Sequence, residues 1–211
     1  MTRALAALSL AVLALSAFMK GASVNEARAL QPQSPPPDVV VYAADLPERA
    51  LSEFDFWNDP ASPKGRLIGT YNGGGHLDPP PEDDPHVTFK VRVQGGVPYR
   101  CWIHMKVGAP KGESQANMLW VQFSDAVDKA NREVFRPRTG SYLTARGPAR
   151  QGWTWVGCES AEPLIFFRTS GDVTVRLQAG MEGVGFDQFL LSPAQFLEKP
   201  PSAAVVPKPK R

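Results

Sequence analysis

Four things are scarce or absent in this chain, and each absence excludes a class of function. There is no clustered charge of one sign: Lys and Arg number 23 against 21 Asp and Glu, a net charge of +2 spread along 211 residues. That lacks the basic stripe that nucleic-acid binding requires. There is no apolar run long enough to span a bilayer. Ala4 to Met19 is uncharged, but it is interrupted by Lys20 short of the ~20 residues a transmembrane helix needs. No amphipathic stretch of helical period and useful length occurs after it, which argues against helical and parallel α/β folds. Catalytic signatures are also missing. No Gly-x-Ser-x-Gly, His-Glu-x-x-His or Walker-type loop occurs, and Gly180, Gly183 and Gly185 fall in the wrong order for a dinucleotide fingerprint. The three histidines, His76, His86 and His104, lack the close spacing of zinc ligands.

What is present begins with an address. Met1-Thr2-Arg3, the apolar run and the small-residue sites Gly21-Ala22-Ser23 and Ala27-Arg28-Ala29 have the anatomy of a secretory signal peptide over residues 1–29. A periplasmic or secreted protein is expected, with no stable membrane insertion after cleavage. No cysteine stands near the cleavage region, which argues against a lipoprotein anchor. Residues 30–37 form a Pro-rich linker, residues 38–198 a single domain, and residues 199–211 a basic, Pro-rich tail. That tail carries too little apolar surface to offset its ordering entropy and is expected to be disordered. Cys101 and Cys158 have two readings, a disulfide closing a long loop or two separate buried thiols, and the oxidising compartment favours the bridge.

The domain reads as strands. Val87, Phe89, Val91 and Val93 alternate with Thr88, Lys90, Arg92 and Gln94; Tyr99, Cys101, Ile103 and Met105 alternate with Arg100, Trp102, His104 and Lys106. Leu119, Val121 and Phe123 do the same, as do Val173, Val175, Leu177 and Ala179. Period two is the mark of a half-buried strand. With frequent turns and 21 prolines in the chain, the pattern predicts an all-β, two-sheet sandwich.

An ordered set of short elements carries a resemblance. Val39-Val40-Val41-Tyr42-Ala43-Ala44-Asp45 comes first, then Pro98 to Ile103, Ala116-Asn117 and Trp120 to Asp125. Gly152-Trp153-Thr154-Trp155 and Gly183 to Leu197 complete it. Together they resemble a galactose-binding-like jelly-roll module, similar to family-six and family-thirty-five carbohydrate-binding modules. The resemblance spans about Asp38 to Glu198. It implies a jelly roll that acts as an accessory domain, with a structural calcium held by an early carboxylate and a late aspartate, here Asp45 and Asp187. The chain departs from the pattern in having Tyr42 and Ala44 where acidic residues are common, and in lacking an asparagine in the final loop.

Candidate binding residues fall in two groups. Arg92, Arg100, Trp102, Trp120 and Gln122 lie on the polar sides of their strands. If those strands are neighbours they form a cationic face with interleaved aromatics, suited to an acidic glycan through guanidinium–carboxylate pairs and stacking. Trp153 and Trp155 share strand parity and offer a second site, since an indole stacks on the C–H face of a pyranose. Packing in the core is the competing reading for either tryptophan. Three functions follow. The first is an exported, non-catalytic carbohydrate-binding module. The second is a structural or protein-interaction domain of the cell envelope that has lost the sugar site. The third, an enzyme of hydrolase or lyase type, finds no acid/base pair to support it.

Overall fold

The computed structural model describes residues 34–70, 85–107, 118–147, 152–180 and 183–206. The expected signal peptide, the loop carrying His76 and Glu82 to Asp84, and the Ala116-Asn117 element lie outside these residues. Among the described residues thirteen strands are formed: β1 (Val39–Tyr42), β2 (Leu51–Ser52), β3 (Asp55–Asn58), β4 (Arg66–Thr70), β5 (His86–Val93), β6 (Tyr99–Val107) and β7 (Met118–Phe123), followed by β8 (Ala126–Val127), β9 (Leu143–Arg146), β10 (Gly152–Glu159), β11 (Leu164–Phe167), β12 (Gly171–Ala179) and β13 (Val184–Ser192). The only helical structure among the described residues is two single 3-10 turns, Ala43–Asp45 and Glu48–Ala50. The fold is all-β, as the period-two pattern predicts.

The strands stack in two antiparallel layers. One runs β2-β5-β12-β7-β9; the other runs β3-β4-β13-β6, with β1 continuing the β4 side of β13 and β11 beside the start of β6. Strand β10 belongs to both. Its residues 152–157 pair with β6, while Cys158 and Glu159 pair with β9, so β10 closes one side of the sandwich. Inner faces meet through aromatic contacts. Phe89 of β5 meets Phe189 of β13 edge-on at 5.2 Å between centroids, and Phe123 of β7 contacts both Phe189 and Phe167. Such edge-to-face pairs add about 0.5–1.5 kcal/mol each beyond their area.

The inward residues predicted for β5, β6, β7 and β12 are all buried in one cluster. The outward residues depart from expectation. Strand β5 keeps a wet outer side, with Lys90 and Arg92 exposed. Strands β7 and β13 are buried at every position, and β6 from Tyr99 to Met105. Two coverings account for this. Residues 128–142 fold over the outer side of β7, where the Gln122 amide donates to the carbonyls of Arg136, Thr139 and Ser141 at 2.9–3.1 Å. The segment from Phe196 to Val205 lies over the outer side of β1, β13, β6 and β10, fixed by hydrogen bonds to Tyr42, Gln188, Trp102 and Trp155.

The Pro-rich tail read from residue 199 onward thus lies on the body, bonded at Ala203 and Val205. A composition argument counts the apolar surface a segment brings to its own burial. This segment brings little, and Val206 is 68% exposed. It is ordered by polar side chains of the body that bond its main chain.

Candidate functional site

The expected cationic and aromatic face does not exist as one surface, because its members lie in different layers. Arg92, Trp120 and Gln122 belong to the β5–β12–β7 layer, and Arg100 and Trp102 to the β6 layer facing the other way. Four of the five are also engaged. Trp120 is 0% exposed, packs on Tyr142 at 5.9 Å, and keeps its indole N–H buried without a partner. Gln122 tethers the covering loop. Arg100 is buried in an ion pair with Glu159, its guanidinium 5.0 Å from the Trp102 ring. Trp102 is 5% exposed and donates to the Phe196 carbonyl at 2.6 Å. Arg92 alone is freely hydrated, 4.0 Å from Asp172. Period two tells which side of a strand a residue takes. It does not tell which strands share a layer, or what lies on top.

Trp153 and Trp155 are brought together. Strand β10 sets Trp155 opposite His104 and Trp153 opposite Lys106. The His104 ring stacks on Trp153 at 5.0 Å with 11° between planes and leans on Trp155 at the same distance. A bulge in β13 leaves Asp187 as the extra residue between Phe186 and Gln188, so Asp187 and Gln188 both stand against His104. Nδ1 of His104 lies 2.7 Å from Asp187 Oδ1, and the other carboxylate oxygen is buried without a partner.

These bonds bear on the implied calcium. Asp187 is committed to an imidazole, and Asp45 pairs at the surface with Lys64. No three His, Cys, Asp or Glu side chains gather into a metal cluster among the described residues. Calcium takes six to eight oxygens, several from carboxylates. Here Asp45 bonds Lys64 and Asp187 bonds His104 through one oxygen, the other Asp187 oxygen being the one without a partner.

The open part of this face lies at its other end. A cleft of about 310 Å³ is lined by Trp57, Asn58, Asp59, Leu67, Lys106, Gly183 and Gly185. Its wall is the Trp57 ring, spread over Gly69, where an added Cβ would meet ring carbons at 2.5–2.9 Å. Asp59 is buried and accepts from Lys106 Nζ at 2.5 Å and from the Ala61 amide at 2.9 Å. Burial pushes its carboxyl upward, but the bond and charge of Lys106, the Ala61 amide and the nearby Trp153 indole outweigh this and hold it below the usual carboxylate range. Lys106 sits 5.9 Å from the Trp153 ring, which joins the cleft to the aromatic ladder. Three residues of this site, Trp57, Asn58 and Asp59, escaped the sequence reading. The succession aromatic–amide–carboxylate at a strand end running into a turn was the available signal.

Chemically, the cleft offers an indole face, an amide, and a cation neutralised by a carboxylate. Among the described residues it holds no second carboxyl kept neutral by burial, as general acid catalysis needs. In the core beneath, Cys101 and Cys158 are both fully buried with sulfurs 2.9 Å apart. Burial, then the contact with Cys158, raises the Cys101 thiol well above its ordinary value.

No protein-family model matches the chain, and no curated protein matches it. Solved structures do. A GH26-CBM35 β-(1,4)-mannanase of Podospora anserina superposes with a TM-score of 0.51 at 13% identity, over 78% of this chain and 29% of that one. The C-terminal CBM6 of a marine laminarinase from Zobellia galactanivorans gives 0.47 at 9%, over 74% and 99%. A family 35 carbohydrate-binding module from Clostridium thermocellum gives 0.43 at 16%, over 72% and 97%. The chain thus spans less than a third of the mannanase. At 13% identity that likeness shows the fold alone, and the fold is the jelly-roll sandwich that the sequence elements imply.

Proposed function

We propose that the chain is an exported, non-catalytic module that binds carbohydrate in the cleft of Trp57, Asn58, Asp59 and Lys106. One observation carries the reading: the indole of Trp57 is held flat at the edge of an open cleft beside a hydrogen-bonding cluster. An indole of this kind stacks on the C–H face of a sugar ring. Removing ~100 Å² of apolar surface from water there contributes roughly 2.5 kcal/mol at 25 cal/mol per Å². The amide and the ion pair supply donors and acceptors for ring hydroxyls.

The charge balance favours a neutral sugar over the acidic glycan read from the sequence. Lys106 is already paired with Asp59, and a uronate would have to compete with that carboxylate. Arg92, Arg100, Trp102, Trp120 and Gln122 then serve the fold and its surface, while Trp153 backs the cleft and Trp155 stands beyond it. Asp59, held ionised, is suited to accepting hydrogen bonds and unsuited to donating a proton. The reading of residues 1–29 as a signal peptide supports export. In an oxidising compartment, Cys101 and Cys158 would be joined as a disulfide.

Calorimetric titration with neutral β-linked oligosaccharides and with uronic-acid oligomers tests the proposal. Binding in the millimolar to micromolar range, roughly −4 to −8 kcal/mol, is expected for a neutral oligomer and not for Trp57→Ala. Failure of every glycan would turn the balance to the protein-interaction reading. That second reading is favoured by one observation, the peptide segment already lying over Trp102 and Trp155.

A further inference from the structure

The segment over the β1–β13–β6–β10 face is held in an unusual way. The side-chain amide of Gln188, 0% exposed, bonds the main chain of Val205 twice: its Nε2 donates to the Val205 carbonyl at 2.6 Å, and its Oε1 accepts from the Val205 N–H at 2.9 Å. The same carbonyl accepts from the Tyr42 hydroxyl at 2.9 Å. Two residues earlier, the Trp155 indole donates to the Ala203 carbonyl at 2.9 Å. A buried amide reading both the donor and the acceptor of one residue does what a neighbouring strand does in a sheet. The carbonyls of Ala203 and Val205 are both bonded by side chains of the body, just after a bend at Ser202 and Ala203.

Every one of these contacts is to backbone. The side chains they pass over are small, Ala203 and Ala204, or exposed, Val206. The floor below is the ladder of Trp155, His104 and the bulge that places Gln188. Lifting the segment would expose the Gln188 amide to water, so each bond to Val205 contributes the net gain of a typical intramolecular hydrogen bond, about 0.5–1.5 kcal/mol. The face thus offers a donor and an acceptor set to read one residue's main chain.

The geometry points to a peptide-recognition groove on this face. Its ligand class is a short main-chain segment with small residues at the positions of Ala203 and Ala204 and a free N–H at the position of Val205, and the chain's own residues 203–206 fill it in cis. Recognition of this sort is main-chain pairing, with specificity set by where a side chain must be small and where a proline cannot stand. It goes beyond sugar binding and does not rest on it, since the cleft of Trp57 and Lys106 lies at the other end of the face.

The test uses the full chain with Val205→Pro, which deletes the N–H that Gln188 reads, and a synthetic end-blocked peptide of residues 200–206, PPSAAVV. The variant is expected to bind this peptide one-to-one. Wild-type chain, its groove filled, should bind at least tenfold more weakly, and the peptide carrying Val205→Pro should bind neither. A folded Val205→Pro chain that ignores the wild-type peptide overturns the proposal, as does equal binding by both chains. Should that variant not fold, hydrogen exchange on the wild-type chain decides. The Val205 amide should exchange at least tenfold more slowly than in the free peptide and lose that protection in Gln188→Leu. Exchange at the free-peptide rate overturns the groove.

Discussion

Joining Cys101 to Cys158 should raise the stability of this domain by an amount its topology sets. The residues are 57 apart in sequence. In the chain-entropy model, cross-linking them removes from the unfolded state roughly 2.1 + 1.5R ln 57 entropy units, about 4 kcal/mol at 25 °C. The folded state has little to do in return. The sulfurs lie 2.9 Å apart and a bond is ~2.05 Å, so they close by under about 1 Å within the buried core. For a domain of this size 1 kcal/mol is about 2–4 °C in Tm; the oxidised protein should therefore melt roughly 8–16 °C above the reduced one. The assay is scanning calorimetry on both forms, with mass spectrometry to show the loss of two hydrogen atoms (two protons, with two electrons passing to the oxidant). Burial imposes a condition. The raised Cys101 thiol is a poor nucleophile in the folded state, since the thiolate is the reactive species. Oxidation should be fast during refolding and slow on the finished reduced fold. The reduced form has a pH signature of its own. With the folded thiol raised, stability is fully present below the unfolded value near 8.5 and falls as pH climbs above it. A protein refolded under oxidant that keeps both protons, or melts at the same temperature when bridged, would refute this reasoning.

Trp57→Ala should weaken binding of a neutral oligosaccharide by about one and a half to two orders of magnitude, the equivalent of roughly 2.5 kcal/mol; titration of variant and wild type side by side is the measure. Gly69→Ala should weaken it too, because the new Cβ lifts the ring it collides with. Asp59 predicts an acid limit. Its lowered carboxyl contributes stability that is complete above the unfolded value near 3.9 and lost as pH falls through the lower folded value. The Tm of wild type should therefore drop more steeply than that of Asp59→Asn on acidification below pH 4. Gln122→Leu should cost about 1–3 kcal/mol in urea unfolding, because the carbonyls of Arg136, Thr139 and Ser141 lose their donor. An unchanged urea midpoint would mean that the loop holds itself.

Much of the architecture was readable in advance for a local reason. Val87 to Val93 and Tyr99 to Met105 alternate, and in a pleated strand alternate side chains must go to opposite sides, so the core list for β5, β6, β7 and β12 follows from the alternation alone. The outer sides were not readable. Trp102, Trp120 and Gln122 have the polarity of surface residues and the same parity as Lys90 and Arg92, yet they are buried, because residues 128–142 and 196–205 lie on them. The candidate site was legible only in part. Lys106 and Trp153 stood on the polar sides of their strands in the sequence, whereas Trp57 and Asp59 reach Lys106 from nearly fifty residues away and Trp153 from over ninety.

The amino-acid order by itself determined that strands form, which face of each is greasy, and that residues 38–198 carry no long helical pattern. Those properties depend on neighbours along the chain. Tertiary structure alone decided which strands lie side by side, that the tail would be held by Gln188 and Trp155, and that Asp187 would face His104. Each of these depends on groups brought together across 17 to 83 positions of sequence. Such a pairing is set by how the layers stack, and no local pattern carries that information.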